Sequence, residues 1–377
     1  MSSSFGHNIK VQIFGQSHSE MVGVVIDGLP AGKRIDEEKI QAFLERRRGG
    51  KNAYSTPRQE ADTPRIVSGT VDGYTCGAPL CALFENANVR SKDYDELRRV
   101  PRPSHADYYA ELKHGGAQDF RGGGHFSGRL TVALCFAGAI CLQFLEDWGI
   151  HIGAHIEQIY TVIDRPYDPL HLHAEDLTYE GFPVNDPTIA EAMQQVMMDA
   201  AKEGDSVGGV IECAAIGLPA GAGSPLFDGI ENQLAQAIFA VPAVRGVEFG
   251  AGFEAAGMLG SEHNDAFAPQ DAELRAAAPD ETLAQVVGAT ETLQHLSNNA
   301  GGVVGGLTTG APLIFRVAMK PTPSIAKNQD SVNLDTLEAS NLSVKGRHDP
   351  CIVPRAVPCI EAVAALVLMD VLVSDYA

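Results

Sequence analysis

The chain opens with alternating apolar and polar positions. Residues 8–14 read NIKVQIF, with a period of two, and residues 23–32 read GVVIDGLPAG, an apolar run that ends in a turn. This alternation predicts half-buried strands, so the N-terminus is expected to form a β-hairpin. Residues 36–48, DEEKIQAFLERRR, carry acidic side chains first, apolar Ile40 and Leu44 in the middle, and basic side chains last. That order predicts a helix whose charges complement its dipole.

Two later stretches extend the pattern. Residues 64–86 alternate short apolar segments with glycine turns, which predicts further strands. The longest apolar run, residues 130–145, contains Thr131 and Gln143 and stops before two acidic residues. It is shorter than the roughly 20 residues that a membrane span requires. We therefore predict a deeply buried helix.

Four features recur in the same order in both parts of the chain. They are the turn GLPAG at residues 28–32 and 217–221, a helix led by Asp36 or Asp228, the segments TCGAPL and TTGAPL that begin at Thr75 and Thr308, and an apolar helix opened by Arg129 or Arg355. Chance explains one such match, whereas four in register favour an ancient duplication. We predict one domain with pseudo-repeat halves at roughly 6–149 and 205–376, and with insertions at roughly 150–187 and 269–294. Two such halves are expected to pack about a pseudo-twofold axis and to form a cleft where their loops meet.

Composition narrows the class of protein. The 377 residues carry a formal net charge of −20, which argues against a general nucleic-acid-binding or anionic-membrane-binding surface. A small anionic substrate is compatible with this charge, because a local arginine cluster acts within a screening length of about 8 Å. The seven cysteines include no C-x-x-C pair, so we predict reduced thiols, no disulfide framework and no metal site. The N-terminal MSSSFGHNIK lacks the apolar core of a signal peptide, and we expect a soluble, cytoplasmic protein.

Positive charge is concentrated at the end of the first predicted helix. Arg46, Arg47 and Arg48 are consecutive, and Arg58 follows beyond a glycine turn. Capping of the helix C-terminus by cations is the ordinary explanation. Three adjacent side chains cannot share one helix face, however. At least one of them is therefore expected to point toward whatever the helix packs against.

A second cationic region runs from Arg102 to Arg129. It contains a run of three glycines, residues 122–124, just before the apolar helix, and Ser127 follows that run. Glycines ahead of a helix let backbone N–H groups converge on an anion. The region therefore predicts phosphate binding, with Ser127 and Arg129 in or near the first turn of the helix. It is not a Walker loop, because no G-K-[ST] follows.

A third region comprises residues 319–329, MKPTPSIAKNQ, and residues 345–355, KGRHDPCIVPR. Asp349 follows Arg347 by two residues within it. One interpretation of Asp349 is a turn or helix cap. The other is a carboxylate positioned for acid–base chemistry beside an arginine-bound anion.

Three motifs stand in order along the chain: FGQSHSE at residues 14–20, RGGGHFSGR at 121–129 and GRHDPCIVPRAVPCIEA at 346–362. They are similar to the three signatures of the chorismate synthase family, which the chain resembles from Gly6 to about Tyr376. RPSHADY, EGDSVGG, VRGVEFGAGF and KPTPSIA stand at family-like places in the same order. The resemblance implies one α+β domain in which helices are sandwiched between antiparallel β-sheets, and typically a homotetramer.

The resemblance also implies a reaction. The family converts 5-enolpyruvylshikimate 3-phosphate to chorismate and phosphate by an anti 1,4-elimination, the last step of the shikimate pathway. It requires reduced FMN without net redox change, since the flavin is thought to lend and recover electron density, and NADPH is a candidate reductant. A substrate with two carboxylates and a phosphate suits a cleft lined with arginines.

Residue roles follow from the same resemblance. His18 matches the histidine that protonates the departing phosphate, a role that suits an imidazole. His105 matches the histidine that protonates the reduced flavin, and Asp349 matches the aspartate that works with flavin N5 to remove the C6 proton. The positions that match FMN contacts are His125, Phe126, Ser127, Pro242, Ala243, Gly305, Lys320, Pro321, Thr322, Pro323, Ser324 and Arg347. The expected substrate contacts are Ser17, Arg47, Arg48, Arg129 and Arg355.

Some positions depart from the family pattern. Gln16 and Ser19 replace glutamate and glycine, His125 and Phe126 replace arginine and serine, Ala53 replaces a second arginine, and Asn299 replaces a histidine. Positive charge is thereby lost near the expected ligands. Arg58 or Lys51 is a candidate replacement, in which case Arg58→Ala should raise the KM for the substrate strongly.

Two other functional classes are alternatives. A flavin-dependent oxidoreductase would consume NADPH rapidly without the shikimate substrate, but no G-x-G-x-x-G follows a predicted strand. A catalytically inactive flavin- or phosphate-binding module would release no phosphate. The presence of His18, His105 and Asp349 argues against that second class.

Overall fold

The computed structural model of the chain describes residues 3–50, 54–56, 60–87, 97–269, 293–344 and 348–376. Its helices are α1 (Glu37–Arg47), α2 (Asp107–His114), α3 (Thr131–Asp147), α4 (Ala190–Lys202), α5 (Ile230–Ile238), α6 (Gly260–His263) and α7 (Val353–Tyr376). Its strands are β1 (Ser4–Phe5), β2 (Lys10–Gly15), β3 (Met21–Asp27), β4 (Arg65–Ser68), β5 (Thr70–Val71), β6 (Tyr74–Thr75), β7 (Leu80–Glu85), β8 (His151–Ile159), β9 (Val162–Ile163), β10 (Gly209–Ile216), β11 (Val244–Phe249), β12 (Phe267–Pro269), β13 (Leu293–His295), β14 (Val303–Val304), β15 (Leu307–Thr308), β16 (Leu313–Met319), β17 (Gln329–Val332) and β18 (Ala339–Leu342).

Two five-stranded antiparallel sheets enclose the long helices. The first sheet has the strand order β1-β2-β3-β7-β4, and the second has the order β11-β16-β10-β8-β9. Helix α3 packs on the first sheet, α7 packs on the second, and the two helices pack on each other. One continuous apolar core therefore runs from sheet to helices to sheet. The predicted α+β architecture with helices sandwiched between antiparallel sheets is confirmed.

The burial pattern explains this layering. Strand β7 buries Leu80, Ala82 and Phe84 on one face, because successive side chains of a strand point to opposite faces of the sheet. Helices α3 and α7 are apolar almost all round, so each needs a partner on every side. The two helices cross where Gly138 meets the backbone of Ala362, so closely that a Cβ at Gly138 would overlap it. A small residue is required at that crossing.

The same two helices resemble membrane spans in length and composition. Gly128–Asp147 and Val353–Val373 are 20 and 21 residues long, so the first is longer than the apolar run read from the sequence. Their most apolar windows are 67% and 100% buried inside the protein. They are core helices of this fold.

Within each predicted half, the GLPAG turn and the later segment TCGAPL or TTGAPL are joined by the same pair of hydrogen bonds. Thr75 Oγ1 donates to Pro30 O at 2.6 Å, and Thr308 Oγ1 donates to Pro219 O at 2.5 Å. Each hydroxyl also accepts, at 3.0 Å, from the backbone N–H that follows the GLPAG turn of its own half. Two features matched in sequence thus make the same contacts in both places.

The strand orders also correspond. The order β2-β3-β7-β4 in the first sheet has the counterpart β8-β10-β16-β11 in the second, with α1 and α5 after the matching turns. Strand β8 spans His151–Ile159, inside the segment expected to be an insertion. A repeat that includes β8 would begin near residue 151 instead of 205. The duplication itself stays a prediction, which these correspondences support.

Candidate active site

The turn between β2 and β3 carries the first motif. Ser19 Oγ lies 2.9 Å from the backbone nitrogen of Gln16 and 2.6 Å from the backbone carbonyl oxygen of Met21. The hydroxyl accepts a hydrogen bond from the nitrogen and donates one to the carbonyl oxygen. It closes the turn at a position where the resemblance led us to expect glycine. Within this turn Ser17 is fully buried and His18 is 8% exposed. The hairpin therefore presents the predicted catalytic histidine toward the interior.

The glycine run packs against this turn. Gly122, Gly123 and Gly124 have φ angles of 61°, 83° and 55°, in the left-handed region that favours glycine. A Cβ at Gly122 would overlap the ring of His18, and a Cβ at Gly123 would lie 3.3 Å from Cε1 of His105. Consecutive glycines thus contact the two histidines that the sequence singled out. One short segment brings both imidazoles together.

The sequence led us to expect that the glycine run leads directly into the long helix. In the structure it does not. A 3₁₀ turn at residues 128–130 precedes α3, and Ser127 Oγ caps that turn by accepting from Arg129 N at 3.3 Å. The carbonyl of Gly124 accepts from Ser17 N at 3.0 Å. Ser127 lies at the helix start, as predicted. The backbone of the run also serves to hold the His18 turn in place.

His105 is held by a buried ion-pair cluster. Its Nδ1 lies 2.6 Å from Asp107 Oδ1, and Arg102 donates to Asp107 through Nε at 2.7 Å and Nη2 at 2.8 Å. Burial raises the pKa of Asp107, but the hydrogen bonds from Arg102 and His105 outweigh it and hold that pKa well below its usual range. Because the carboxylate accepts the Nδ1 proton, Nε2 is the nitrogen left for chemistry, and it faces Gly123.

The second half of the chain completes this cluster. Arg102 Nη1 donates to Ser324 Oγ at 3.0 Å, and the Lys320 ammonium donates to Ser104 O. Lys320 N in turn donates to Ala243 O at 3.0 Å. The two segments that carry most of the expected flavin contacts are therefore joined to the His105 loop. The other residues of these two segments are Pro242, Pro321, Thr322 and Pro323.

The remaining expected flavin contacts are more scattered. His125 Nδ1 donates to Gly15 O at 2.7 Å, and its Nε2 accepts from Ser3 Oγ at 2.8 Å, so this ring fastens the N-terminal segment. Phe126 is 43% exposed. Gly305 lies exposed at the tip of the β14–β15 hairpin, where the structure gives it no contact with the His105 cluster.

Asp349 lies where the end of α1 meets the start of α7. Its Oδ2 accepts from Arg355 Nη1 at 2.5 Å, and its Oδ1 accepts from Thr56 N at 2.8 Å. Arg355 Nε also donates to Arg47 O at 2.8 Å. Within the described residues, the arginine beside Asp349 is thus Arg355. The other candidates Arg347, Arg58, Lys51 and Ala53 lie outside the described residues.

Arg47 and Arg129 share one carboxylate. Asp62 Oδ2 accepts from Arg47 Nη1 at 2.5 Å, and Asp62 Oδ1 accepts from Arg129 Nη1. Arg129 Nε donates to Asn86 Oδ1 at 2.7 Å, and Asn86 Nδ2 donates to Ser19 O at 2.8 Å. A continuous series of hydrogen bonds therefore runs from the first motif to the third.

Two clefts open beside these clusters. One is narrow, with a volume of about 20 Å³, and is lined by His105 and Phe126 together with apolar and charged side chains. The other has a volume of about 380 Å³, and Arg48 and Arg355 lie in its wall. The second cleft offers guanidinium groups to an anion.

Inspection of the sequence missed three polar residues of these clusters. Asp107 carried a usable signal, because it follows a candidate catalytic histidine by two positions. Asp62 and Asn86 carried none, because their arginine partners are between 15 and 67 positions away in the chain.

The family model for chorismate synthase matches residues 9–373, a span that contains every motif described above. The chain belongs to the chorismate synthase family. Chorismate synthases of Dehalococcoides mccartyi and Thermococcus gammatolerans are 43% and 45% identical to it over 372 and 365 residues, which cover 98% and 97% of this chain and 96% of each relative. A crystal structure of chorismate synthase has a TM-score of 0.71 to this chain at 26% identity, covering 98% of this chain and 93% of that one.

Membership of the chorismate synthase family makes the chain a lyase that acts on a small molecule. The family and the fold expected from the motifs are both confirmed. The expected soluble character agrees with the family, and the two long apolar helices are internal.

Proposed function

We propose that the chain converts 5-enolpyruvylshikimate 3-phosphate to chorismate and inorganic phosphate by an anti 1,4-elimination, with reduced FMN bound beside His105. The observation that carries this proposal is the pair of glycine contacts. Gly122 faces His18 and Gly123 faces His105, so a proton donor for the leaving phosphate and the histidine proposed to serve the flavin lie against consecutive residues. The elimination needs both functions at one reacting molecule.

The residues around His105 fit a flavin. Phe126 offers an exposed aromatic surface, Gly123 leaves space next to His105 where a side chain would intrude, and Lys320 supplies a cation beside the His105 loop. Bound reduced FMN would supply electron density while the C–O bond breaks. Residues 125–127 and 320–324 would hold and orient it. In this protein His125 is already bound to Gly15 and Ser3, so its part is to fix the loop.

His18 is the proposed general acid. An imidazole beside a phosphate dianion takes up a proton near neutral pH and can deliver it to the departing oxygen. The buried turn around Ser17 limits the motion of the ring. Proton delivery then depends on how precisely the turn is held.

His105 and Asp349 are the other proposed catalytic groups. Asp107 fixes the Nδ1 proton of His105, so that Nε2 exchanges a proton on the side of Gly123. Asp349 is an acceptor at both oxygens, from Arg355 and from Thr56 N, and keeps lone pairs with which to receive the C6 proton. Arg47, Arg48 and Arg355, together with Ser17, are the proposed anion contacts.

The finer assignments of assembly, reductant and compartment are also proposals. We propose a cytoplasmic homotetramer whose flavin NADPH can reduce. Leu226, Phe227 and Phe253 are 79%, 88% and 85% exposed, which favours an interface between copies of the chain. Light scattering during size-exclusion chromatography tests the tetramer, and a monomer at micromolar concentration would contradict it.

An anaerobic assay with chemically reduced FMN tests the reaction. Chorismate and phosphate should form together from 5-enolpyruvylshikimate 3-phosphate, and the flavin should return to its reduced state after turnover. Addition of NADPH to oxidised FMN shows whether the protein reduces its own flavin. Rapid NADPH consumption without the substrate would favour an oxidoreductase. Absence of phosphate release with reduced FMN present would favour a binding module.

A further inference from the structure

The buried carboxylate of Asp62 joins the two arginines that the sequence proposed as separate anion ligands. Its oxygens accept from Nη1 of Arg47, at 2.5 Å, and from Nη1 of Arg129. Asp62 is 3% exposed, Arg47 is 4% and Arg129 is 6%. All three groups are therefore largely removed from water and depend on each other for their hydrogen bonds.

Arg129 is fully engaged with the protein. Besides Asp62, its Nε donates to Asn86 Oδ1 at 2.7 Å, and its Nη2 donates to Glu85 O at 3.0 Å. All three guanidinium nitrogens thus have protein acceptors, two of them at the end of β7. This geometry favours an anchoring role for Arg129 over the direct anion contact that we expected from the sequence.

Arg47 is engaged differently. In the part of the chain that the structure describes, its side chain donates through Nη1 alone, to Asp62. The donors on Nε and Nη2 are left for a bound anion. Its backbone carbonyl accepts from Arg355, the residue that also holds Asp349. A shift of Arg47 would consequently disturb the third motif as well.

Two guanidinium charges at such low exposure repel each other unless a carboxylate lies between them. Burial lowers the pKa of Arg129, and the attraction of Asp62 only partly offsets that effect. Burial likewise opposes the charge of Arg47, yet its pKa is raised, chiefly by Asp62. The carboxylate is thus what keeps two cations side by side.

We propose that Asp62 is a positioning residue that aims Arg47 at an anionic group of the substrate, with Arg129 as its fixed anchor. The inference rests on the proposed function, because that function supplies the anion. Asp62 touches no substrate in this arrangement. It determines where the free end of Arg47 points.

The test is a double-mutant cycle of Asp62→Asn and Arg47→Met, read by calorimetric titration of 5-enolpyruvylshikimate 3-phosphate and by steady-state kinetics with reduced FMN. Asp62→Asn keeps the size of the side chain but cannot satisfy both cations. It should raise the dissociation constant and the KM for the substrate about tenfold or more, with kcat within about threefold of the unmodified protein. Arg47→Met should add less than about threefold in the Asp62→Asn background, because Arg47 is already misdirected.

Asp370→Asn is the matched control. Asp370 is 1% exposed and accepts from the backbone N–H groups of His7, Asn8 and Ile9, and within the described residues it makes no hydrogen bond to Arg47 or Arg129. The Asp370→Asn variant should lose thermal stability without a change in KM. If Asp62→Asn does not fold, Arg129→Lys is the second test, since it keeps a cation but loses the three-nitrogen anchorage. It should raise KM at nearly constant kcat.

Three results would overturn the proposal. One is tighter substrate binding by Asp62→Asn, which would make Asp62 a competitor of the anion. The others are an unchanged KM in the folded variants, or losses of Asp62→Asn and Arg47→Met that simply add. Failure of the proposed function is distinguishable, because the unmodified protein would then neither bind this substrate nor make chorismate.

Discussion

Gly122 packs so closely on His18 that a Cβ at residue 122 would overlap the imidazole ring. The φ angle of Gly122 is 61°, a conformation that L-residues adopt at a cost of about 1–2 kcal/mol. Two separate requirements, backbone conformation and space for His18, thus coincide at one glycine. They can be separated by experiment.

Gly122→Ala should displace His18 and lower kcat about 10²-fold, the size of effect that a shift of about 1 Å at a reacting group produces. The measurement is chorismate formation with reduced FMN. Gly73→Ala is the matched control, because Gly73 has a φ of 80° and nothing within 4 Å of its Cβ position. Both variants carry the cost of the left-handed conformation, and Gly122→Ala adds the cost of displacing His18. An equal loss of activity in both would refute the steric explanation.

His18→Ala should lower kcat by about 10²–10⁴-fold if the imidazole is the general acid. FMN binding, followed by flavin fluorescence, should be retained, because the expected flavin contacts lie elsewhere. His171→Ala serves as the control, since that side chain is 78% exposed. A near-normal rate for His18→Ala would remove His18 from the mechanism.

Asp107→Asn should change the preferred tautomer of His105, because the amide cannot replace a carboxylate that accepts the Nδ1 proton at 2.6 Å. We expect kcat to fall about tenfold or more, because the imidazole is then no longer held in the tautomer that leaves Nε2 for chemistry. Nitrogen-15 NMR of the imidazole checks the tautomer directly. Asp199→Asn, an exposed carboxylate on α4, should leave both readouts unchanged. An unchanged kcat together with an unchanged tautomer in Asp107→Asn would contradict the assigned role.

His155 gives a prediction for stability against pH. It is 0% exposed, with Nε2 2.8 Å from Glu212 and Nδ1 3.3 Å from Asp164. Burial lowers its pKa, but the two carboxylates outweigh burial and raise the pKa above the ordinary value. The folded protein therefore binds the proton more tightly, and this contribution is complete below about pH 6.5 and is lost as the pH rises through the raised value.

Thermal unfolding of the unmodified protein between about pH 6 and pH 9 checks this sign. Over that interval the Tm of the unmodified protein should fall further than the Tm of His155→Gln, whose side chain cannot titrate there. The neighbouring Glu157 has a pKa raised first by burial and then by Glu212, and contributes a decline of the same sign at lower pH. A Tm that rises with pH more in the unmodified protein than in the variant would contradict the assignment.

Much of the architecture was accessible without coordinates. The alternation in residues 8–14 and the acidic-to-basic order of residues 36–48 predicted β2 and α1, because local periodicity and capping depend on neighbours in sequence. The expected insertion at residues 150–187 hid β8, because its residues are buried over most of their length and show little alternation. A strand covered on both faces has no clear period of two.

By itself, the sequence determined the family, the N-terminal hairpin, the helices α1, α3 and α7, and the loops that carry His18, His105 and Asp349. Those properties depend on motifs and on short-range patterns. Only the tertiary structure decided that Gly122 contacts His18, and that Asp62 holds Arg47 and Arg129 together. The physical reason is that a shared buried carboxylate is defined by groups up to 67 positions apart, and only packing of the sheet edge against the helices brings those groups within hydrogen-bonding distance.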